Sequence, residues 1–439
     1  MGINIQKKPN LIIMVDNGSS SNEAINFLNE RKIKSIIIDH HEIFKPYPKS
    51  DILINPKKDC DYSEYDYFCS GVLTYFFIDY YIKSKKFKLN FSENLYLVLL
   101  SIISDVMPLR KINRFIAINV FKNLKNYQDY FFKKVFEIKK IKKKIEIDDF
   151  GFLFGPLINS AGRLDDPNII VELFTIDKIS LKDKIINKLI ILNEKRKLLE
   201  KEIFNKIDLD KLSLEKDSII ILENKNINEG LIGLIASNIK TYFNKPSIII
   251  TKSNNILKGS ARSTKNFPIG KYIKNALDLK LLESGGGHNF AAGFTLKEKK
   301  LTSFKNFIKK YANKNFIHSN NNYLSKISFS SLNKNFLLEL NKLQPYGEEN
   351  LNPFFLIENI KIVKSKVINN KLISCFIKNR SGKIISAVCF DLLESYLSKN
   401  ILYNKNEVNI VVQIKENFWN NKKSIQLIII DLISSSIKT

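Results

Sequence analysis

The stretch from residue 11 to residue 42 constrains the fold of this chain most strongly. It contains two short runs rich in Ile and Val, Leu11–Val15 and Ser35–Ile38. The segment between them, Asn22–Arg31, has apolar residues at near-helical spacing. This pattern is typical of a β-α-β unit with two buried parallel strands. The stretch therefore predicts an open α/β sheet.

Acidic and imidazole side chains follow both predicted strands. Asp16 follows the first strand, Asp39, His40 and His41 follow the second, and Asp105 lies later in the segment ISDVMPL. Ligands of open α/β sheets bind outside the carboxyl ends of the strands, so we expect the first four side chains to converge on one crevice. Carboxylates beside imidazole suit Mn²⁺ or Mg²⁺ better than they suit a thiolate-binding ion. The pattern predicts most of a divalent metal site.

The length and the net charge of the chain limit the number of domains and the kinds of partner that are possible. A chain of 439 residues is long enough for two or three domains, each with its own core. The net charge of +26 favours an anionic partner, with nucleic acid as the first candidate. An AT-rich genome also enriches a protein in Lys, Ile, Asn and Phe, so the excess of Lys is equally consistent with a solvated surface. Charge alone does not choose between the two interpretations.

Cysteine spacing and hydropathy predict a cytoplasmic protein with no membrane partner. The four cysteines, Cys60, Cys69, Cys375 and Cys389, have no C-x-x-C spacing, which favours reduced thiols over a disulfide or a zinc site. The apolar runs fall short of the roughly 20 residues that a membrane span needs. The first residues also lack the pattern of a signal peptide.

The segment Gly151–Asp166 is rich in turn-forming residues and contains one arginine, Arg163. A single Arg in such a segment can present its guanidinium group to a phosphate. The alternative is an ion pair of Arg163 with Asp165 or Asp166 that only pins the loop. The residues by themselves favour this alternative.

A long helix over Leu181–Ile207 precedes a second predicted α/β domain. In that domain, small residues around Ser260 and Arg262 allow a phosphate to approach backbone N–H groups, a hydroxyl and a guanidinium together. Residues 284–294 (SGGGHNFAAGF) predict a flexible turn around His288, because three consecutive glycines are costly to order. We expect His288 to contact a substrate phosphate.

The last part of the chain is dominated by strand patterns. After a polar segment, Asn313–Asn322, which predicts a linker, five strand-like segments alternate apolar with basic or aromatic residues. Five such strands predict an OB-type barrel, a fold that binds single strands by stacking bases on aromatic side chains. Phe418 and Trp419 fall in a predicted hairpin turn, where they either stack on bases or cap the barrel.

Nine ordered segments of the chain resemble the RecJ family of the DHH phosphoesterase superfamily. These segments are VDNGSSS (15–21), IDHH (38–41), ISDVMPL (103–109), FGPLINSAGRLDD (154–166), LNEKR (192–196), EGLIGLIAS (229–237), KGSARS (258–263), GGGHNFAAG (285–293) and LQPYGEENLNPF (343–354). The resemblance covers nearly the whole chain. It implies a DHH parallel-sheet domain over residues 1–148, a connecting segment with a long helix over 149–208, a DHHA1 α/β domain over 209–316 and an OB domain over 323–439.

The resemblance also implies roles for the residues of the predicted metal site. By motif, Asp16 bridges two divalent ions, and His40 and Asp105 ligate one of them. Asp39 holds an imidazole in place, and His41 lies near the scissile phosphate. Four further residues hold phosphate groups: Arg163, Ser260, Arg262 and His288. Of these, Ser260 and Arg262 match the pocket that binds the 5′ end in the family.

The implied activity is that of a single-stranded-DNA-specific 5′→3′ exonuclease in DNA repair and recombination. Two ions, Mn²⁺ or Mg²⁺, would support hydrolysis that releases 5′-mononucleotides. The implied partners are single-stranded DNA with a 5′ end, a single-strand-binding protein and a helicase. Two alternatives are a catalytically decayed DNA-binding scaffold and a DHH phosphatase acting on short oligonucleotides. The predicted barrel argues against the phosphatase, since small substrates need no strand-holding domain.

The chain departs from the family pattern at its start. The family carries an Asp-x-Asp within a DADG-like turn on an earlier strand, and this motif supplies further ligands to both ions. Only ten residues precede Leu11, and they contain no such turn. We expect the DHH domain to be N-terminally truncated, with an exposed sheet edge that is destabilising. Either the start was assigned too late, a separate chain carries the missing segment, or the site has decayed.

Overall fold

The computed structural model describes residues 9–58, 64–123, 130–214, 217–253, 256–264, 267–315, 323–369, 372–390, 395–419 and 422–433. The chain forms two compact units, Met1–Ile317 and His318–Thr439. The first unit contains two sheets and a helical layer, and the second contains a barrel.

A three-stranded parallel sheet opens the first unit. Its elements in chain order are β1 (Leu11–Val15), α1 (Asn22–Glu30), β2 (Lys34–Ile38) and β3 (Ile52–Ile54). The strand order is β1-β2-β3, with Val15 paired to Ile38 at the carboxyl ends of the first two strands. This arrangement confirms the predicted β-α-β unit.

Strand β1 is less buried than predicted. Leu11, Ile13 and Val15 are 44%, 50% and 40% exposed, whereas Ile37 of β2 is fully buried. Within the described residues β1 pairs only with β2, and the small core under α1 takes only the alternate residues of β1, Ile12 and Met14. A parallel strand is buried only when both of its faces are covered. The prediction of two buried strands was therefore wrong for β1.

A layer of helices follows the first sheet. The helices are α2 (Ser70–Ser84), α3 (Leu95–Ser104), α4 (Lys111–Asn123), α5 (Tyr130–Ile138), α6 (Ile147–Asp149), α7 (Gly155–Leu164), α8 (Asn168–Thr175) and α9 (Ile179–Asn205). Their shared core is aromatic, with Phe132 packed at 4.4 Å between ring centroids against Phe154 and at 5.3 Å against Phe150. Burial of these large side chains fixes the positions of α5 and α7.

The segment around Arg163 is helical, which corrects the prediction of a turn-rich loop. Phe150–Phe154 forms a π-helical turn that continues directly into α7. Pro156 stands in the first turn of α7, directly after this π-helical turn. Burial of Phe150, Phe154 and Leu157 outweighs the low helix propensity of the glycines.

The long helix α9 joins two hydrophobic cores. Ile186 and Leu189 lie in the core of the helical layer, whereas Leu199 and Ile203 pack on a second core around α11 (Ile232–Phe243). This confirms the predicted connecting helix, which is held by packing at both ends.

The second sheet of the first unit has five strands. Its elements, besides α11, are α10 (Leu209–Ser213), β4 (Ile220–Glu223), β5 (Ser247–Ser253), β6 (Ile256–Arg262), α12 (Ile269–Asp278), β7 (Ser284–His288), β8 (Ala291–Leu296) and α13 (Leu301–Asn315). The strand order is β4-β5-β6-β8-β7, and all pairs except β4–β5 are antiparallel. The predicted flexible turn around His288 is instead a hairpin with its glycines in β7, because the β8 backbone supplies the hydrogen bonds that order them.

The second unit is a closed five-stranded barrel. Its elements are β9 (Ser325–Lys326), α14 (Lys334–Asn341), β10 (Phe355–Ile368), β11 (Leu372–Asn379), β12 (Ile384–Cys389), α15 (Tyr396–Tyr403), β13 (Val408–Trp419) and β14 (Lys422–Ile433). The ring runs β10-β11-β12-β14-β13 and closes where β13 pairs with β10. Closure and the apolar interior confirm the predicted OB-type fold.

Several smaller predictions have mixed outcomes. Phe418 and Trp419 lie in β13 rather than in a turn, because β13 and β14 pair as far as Trp419 with Lys422; their side chains fall outside the described residues. The predicted linker overlaps the end of α13, and its residues 316–322 are not among the described residues.

The cysteine and membrane predictions were tested only within the described residues. Cys69, Cys375 and Cys389 are free and buried, and Cys60 lies outside the described part of the chain. Burial raises the pKa of Cys375 to about 12. Among the helices that the structure describes, none combines the length and the hydropathy of a membrane span.

Candidate metal centre and phosphate pocket

Asp16, His40 and Asp105 lie together at the carboxyl end of the first sheet. His40 Nε2 is 3.3 Å from Asp16 Oδ1 and 3.9 Å from Asp105 Oδ2. One ligand atom from each of the three side chains lies within 4.8 Å of those from the other two. Asp16 has a left-handed backbone (φ 62°) immediately after β1, and Asp105 caps the end of α3. We call these three residues the metal triad.

The electrostatics of the metal triad suit a bound cation. Burial, reinforced by the charge of Asp16, raises the pKa of Asp105. Burial also acts to raise the pKa of Asp16, but its hydrogen bond with His40 and the charges of His40 and His41 together outweigh this effect, and the pKa is lowered. Two carboxylates and one imidazole form an oxygen-rich ligand set of the kind that binds Mn²⁺ or Mg²⁺. A cation between the carboxylates would remove the repulsion that raises the pKa of Asp105.

Asp39 is buried beside the triad and is engaged by the protein itself. Its carboxylate accepts backbone N–H groups from Ser19 at 3.0 Å and from His40 at 2.8 Å. Its Oδ1 lies 2.7 Å from His41 Nδ1. Burial opposes ionisation, but these hydrogen bonds hold the pKa of Asp39 well below its usual range, and the same contact raises the pKa of His41. Asp39 therefore fixes the His41 ring.

His288 joins this cluster from the second sheet. Its ring centroid lies 5.7 Å from that of His40 and 5.6 Å from that of His41. The ammonium group of Lys57 is 3.3 Å from His288 Nδ1 and 3.0 Å from a Glu42 oxygen. Burial, followed by the charge of Lys57, lowers the pKa of His288 to about 4. His288 is thus a neutral imidazole at physiological pH.

The sequence did not lead us to predict Lys57 and Glu42 as site residues, although the position of Lys57 after a strand could have indicated it. Lys57 stands three residues after β3 (Ile52–Ile54), at the same sheet edge as the residues that follow β1 and β2. The strand-end rule that identified Asp16 and Asp39 applies to the residues after β3 as well.

Ser260 and Arg262 lie side by side on β6. Arg262 Nη1 donates to Ser260 Oγ at 3.2 Å and to the Ala261 carbonyl at 2.8 Å. Helix α11 packs closely over them, since a Cβ atom on Gly233 would lie 2.9 Å from Arg262 Nη2. Burial, followed by the charge of Arg163, lowers the pKa of Arg262, although an arginine stays protonated. Ser260 and Arg262 form what we call the phosphate pocket.

Arg163 extends this cation-rich region and makes neither of the two ion pairs considered for it. Its Nη1 donates to the Gly230 carbonyl at 2.8 Å. Asp165 instead pairs with Lys188 at 2.8 Å, and Asp166 accepts the backbone N–H of Asn168. Burial, followed by the charge of Arg196, lowers the pKa of Arg163. The guanidinium is therefore not neutralised by the acids that follow it in sequence.

Sequence reasoning also missed Lys240, a half-buried side chain on α11. Burial and the charge of Arg262 lower its pKa. No sequence pattern signals its position, because Lys is abundant throughout the chain.

Three family models match successive parts of the chain. The DHH family N-terminal domain matches residues 3–102, the DHHA1 domain matches residues 216–314 and the RecJ OB domain matches residues 325–431. The three domains occur in the order that the sequence motifs predict.

Curated relatives carry the name single-stranded-DNA-specific exonuclease RecJ. The protein from Escherichia coli is 30% identical over 319 residues, which cover 67% of this chain and 55% of that protein. The protein from Bacillus subtilis is 25% identical over 434 residues, which cover 96% of this chain and 53% of that protein. The chain spans about half the length of these curated relatives.

A solved structure has the same fold. RecJ from Thermus thermophilus in complex with Mn²⁺ matches with a TM-score of 0.81 at 22% identity, covering 97% of this chain and 62% of that one. The domain matches, their order and the named relatives agree with one another. The chain belongs to the RecJ family, with DHH, DHHA1 and RecJ OB domains.

Proposed function

We propose that the chain is a divalent-metal-dependent exonuclease that hydrolyses single-stranded DNA from its 5′ end and releases 5′-mononucleotides. One observation carries the proposal: an acidic metal triad and a cation-rich phosphate pocket lie close together in the first unit. Arg262 and His288 both pair with Ala291, so they are two strands apart, about 10 Å at the backbone. The names of the relatives supply the substrate class, and two solved relatives contain Mn²⁺ or Mg²⁺.

Asp16, His40 and Asp105 would hold the metal ion. When bound, the ion would activate a water molecule and stabilise the charge that develops on the phosphate. The triad supplies ligands for one ion. The second ion that the family resemblance implies would share Asp16 and needs further ligands from outside the triad.

The imidazoles of this chain position the scissile phosphate. The hydrogen bond between His41 Nδ1 and Asp39 raises the pKa of His41, and Nε2 of the same ring would donate a hydrogen bond to a phosphate oxygen. In His288, Nδ1 faces the Lys57 ammonium, which can only donate, so the ring proton is on Nε2. The Nε2–H group is then the donor that His288 offers to the substrate.

The phosphate pocket would hold the 5′ end. The Ser260 hydroxyl and the Arg262 guanidinium offer hydrogen bonds to a terminal phosphate. The guanidinium of Arg163 adds a second positive charge to the pocket. In the second unit the OB barrel would hold a further length of single strand. On the family resemblance alone we propose three protein partners: a single-strand-binding protein, a helicase and a separate chain that carries the Asp-x-Asp segment of the family.

The test uses the full chain and a 5′-phosphorylated single-stranded oligonucleotide with a fluorophore at its 3′ end. With Mn²⁺ present we expect 5′-mononucleotides to accumulate, no attack on a blunt duplex, and complete inhibition by a chelator. Salt-sensitive binding without hydrolysis under any divalent ion would replace the proposal with the DNA-binding scaffold. Hydrolysis confined to dinucleotides and small phosphate esters would replace it with the phosphatase.

A further inference from the structure

The carboxyl-terminal end of helix α2 carries aromatic rings and lysines on the surface of the first unit. The rings are far from buried, since Tyr80 and Tyr81 are 74% and 50% exposed and Phe87, just beyond the helix, is 52% exposed. Three exposed lysines accompany them. We call these six residues the α2-end patch: Tyr80, Tyr81, Lys85, Lys86, Phe87 and Lys88.

The backbone at the end of α2 fixes the positions of these side chains. The N–H of Lys86 donates to the Lys83 carbonyl at 3.1 Å, and the N–H of Phe87 donates to the Ile82 carbonyl at 3.0 Å. With Lys86 in the left-handed region (φ 55°), the two bonds form a Schellman motif. The motif turns Phe87 back towards Tyr81, with 6.1 Å between the ring centroids. The rings and the lysines are therefore held side by side before any partner binds.

Helix α5 ends in the same way but without exposed rings, so the two helix ends can be compared. Lys140 is left-handed (φ 54°), and the next residue, Ile141, packs against the core of the helical layer. Of the neighbouring lysines, Lys139 pairs with Glu194, and Lys143 pairs with two acids. The general excess of Lys in the chain therefore accounts for the end of α5, but it does not account for the exposed rings at the end of α2.

The lysines of the α2-end patch are not neutralised by acids. In the part of the chain that the structure describes, Lys85, Lys86 and Lys88 make no ion pair, whereas Lys83 beside them pairs with Asp79 at 2.7 Å. Exposed rings beside free cations are the combination by which proteins hold single-stranded nucleic acid, since bases stack on the rings and phosphates lie against the cations. An acidic protein surface would match only the lysines, and an apolar surface would match only the rings.

Helix α2 links this patch to the metal triad. Ser70, in the first turn of the helix, lies beside Asp16. At 1.5 Å per residue, the 15 residues of α2 place its other end about 20 Å away. A stacked strand covers this distance with about six nucleotides at 3.4 Å each. Phe76, which is 40% exposed, lies one turn before Tyr80 on the same side of the helix, between the two ends.

We infer that the α2-end patch is a second contact site for the single strand, where bases stack on Tyr80, Tyr81 and Phe87 and phosphates lie against Lys85 and Lys88. The site holds nucleotides on the 3′ side of the scissile bond, about six positions away from it. This inference rests on the proposed function and adds a length preference to it. Strands that reach the patch bind more tightly than strands that do not.

The experiment compares a long strand with a short one in the full chain. Dissociation constants of 5′-phosphorylated (dT)20 and (dT)3 are measured by competition against a fluorescent strand, in EDTA so that no hydrolysis occurs. A stacked trinucleotide spans only about 10 Å and does not reach the patch. For Tyr80→Ala/Phe87→Ala we expect affinity for (dT)20 to fall at least about fivefold, the low end for loss of one base–aromatic contact. Affinity for (dT)3 should not change.

A second pair of variants tests the charge of the patch. Lys85→Gln/Lys88→Gln should reduce the dependence of log Kd on log salt concentration for (dT)20 by about 1.4, which is about 0.7 for each cation. The control is Lys142→Gln/Lys144→Gln at the end of α5, where both lysines are exposed. The control removes the same charge and should leave the salt dependence unchanged.

The outcomes separate this inference from the proposed function. Wild-type affinity for (dT)20 in both patch variants would overturn the inference and leave the patch to a protein partner. An equal loss for (dT)3 would also overturn it, because the trinucleotide does not reach the patch. If Tyr80→Ala/Phe87→Ala melts early, Tyr80→Ala alone decides, since Tyr80 is the most exposed of the three rings. Failure of the wild-type chain to bind either strand would instead overturn the proposed function, and the inference with it.

Discussion

The two sheets of the first unit contribute opposite charges to the candidate site, and they do so in different ways. The first sheet is parallel, and its carboxylates Asp16 and Asp39 come directly after strands β1 and β2. The second sheet is antiparallel in this region, and Arg262 and His288 stand on the face of strands β6 and β7. The difference teaches that binding of the metal ion and binding of the 5′-phosphate have separate structural supports. A substitution on one side should therefore spare the chemistry of the other.

The largest expected effect is on the metal triad. Asp16→Asn removes an anionic ligand that lies within reach of both His40 and Asp105, so we expect Mn²⁺ affinity to fall by at least about 100-fold. Hydrolysis should be lost, while binding of a 5′-phosphorylated oligonucleotide without Mn²⁺ should be kept. Isothermal titration with Mn²⁺ and anisotropy give the two readouts, and Asp278→Asn on the exposed end of α12 is the control. Unchanged Mn²⁺ affinity would reject the triad.

The matching substitution on the second sheet is Arg262→Gln. Hydrogen bonds to a charged group contribute about 1.5–3 kcal/mol each, so preference for a 5′-phosphate over a 5′-hydroxyl should fall by about 10- to 150-fold. Mn²⁺ affinity should stay unchanged, because Arg262 lies outside the triad. Competition between the two oligonucleotides measures the preference, with the exposed Arg31→Gln as the control. An equal loss for both oligonucleotides would show that Arg262 binds the strand elsewhere.

A smaller effect is expected from Asp39→Asn, which removes the charge that holds His41. Asp39 also accepts the backbone N–H of His40, a member of the metal triad, and carboxylates that hold a metal ligand typically change metal affinity by about 10- to 100-fold. We expect Mn²⁺ affinity to fall by an amount at the low end of that range. The pKa of His41 should fall towards its ordinary value, because its hydrogen bond to Asp39 is what raises it. An NMR titration of the imidazoles checks this shift. A His41 pKa that does not fall would contradict the assigned contact.

Asp39 should also make the stability of the folded chain depend on pH. Folding lowers the pKa of Asp39 below its ordinary value of 3.8, so its carboxylate stabilises the folded chain above that pH. This contribution is lost as the pH falls from about 4 towards the lower folded pKa. The free energy of unfolding of the Asp39→Asn variant should therefore depend less on pH in that interval than the free energy of unfolding of the wild-type chain. Acid unfolding followed by circular dichroism measures the dependence, and identical slopes would contradict the prediction.

The smallest effect concerns the contact that joins the two sheets. In Lys57→Met the cation that helps to lower the pKa of His288 is removed, so this pKa should rise from about 4. It should stay below 6.5, because burial is the larger cause of the shift. An NMR titration of the metal-free chain gives the value. A pKa that does not rise would mean that Lys57 does not face the ring.

The strand-end rule explains how much of the site the sequence could predict. Asp16, Asp39, His40 and His41 were identifiable because parallel strands read as Ile- and Val-rich runs and their carboxyl ends share one edge. No comparable rule places a residue on the face of an antiparallel strand next to another element. The residues alone predicted phosphate contacts for Arg262 and His288, but they did not predict that the two side chains stand two strands apart on one sheet.

The errors about local structure have a common physical cause. Gly151–Asp166 and residues 284–294 were interpreted as turns from their glycine content, whereas both are ordered by partners remote in sequence. Burial of Phe150 and Phe154 makes the first helical, and pairing with β8 makes the second a strand. The Ile- and Val-rich pattern of β1 wrongly predicted a buried strand, because burial depends on what covers a strand; only the departure from the family pattern predicted an exposed sheet edge.

The most direct test of the central claim is anomalous diffraction from crystals of the chain soaked in MnCl₂. The account predicts a peak that lies about 2.0–2.3 Å from a carboxylate oxygen of Asp16, from His40 Nε2 and from an oxygen of Asp105. The same soak of Asp16→Asn crystals should give no peak at this position. Well-diffracting wild-type crystals without a manganese peak at the triad would contradict the account.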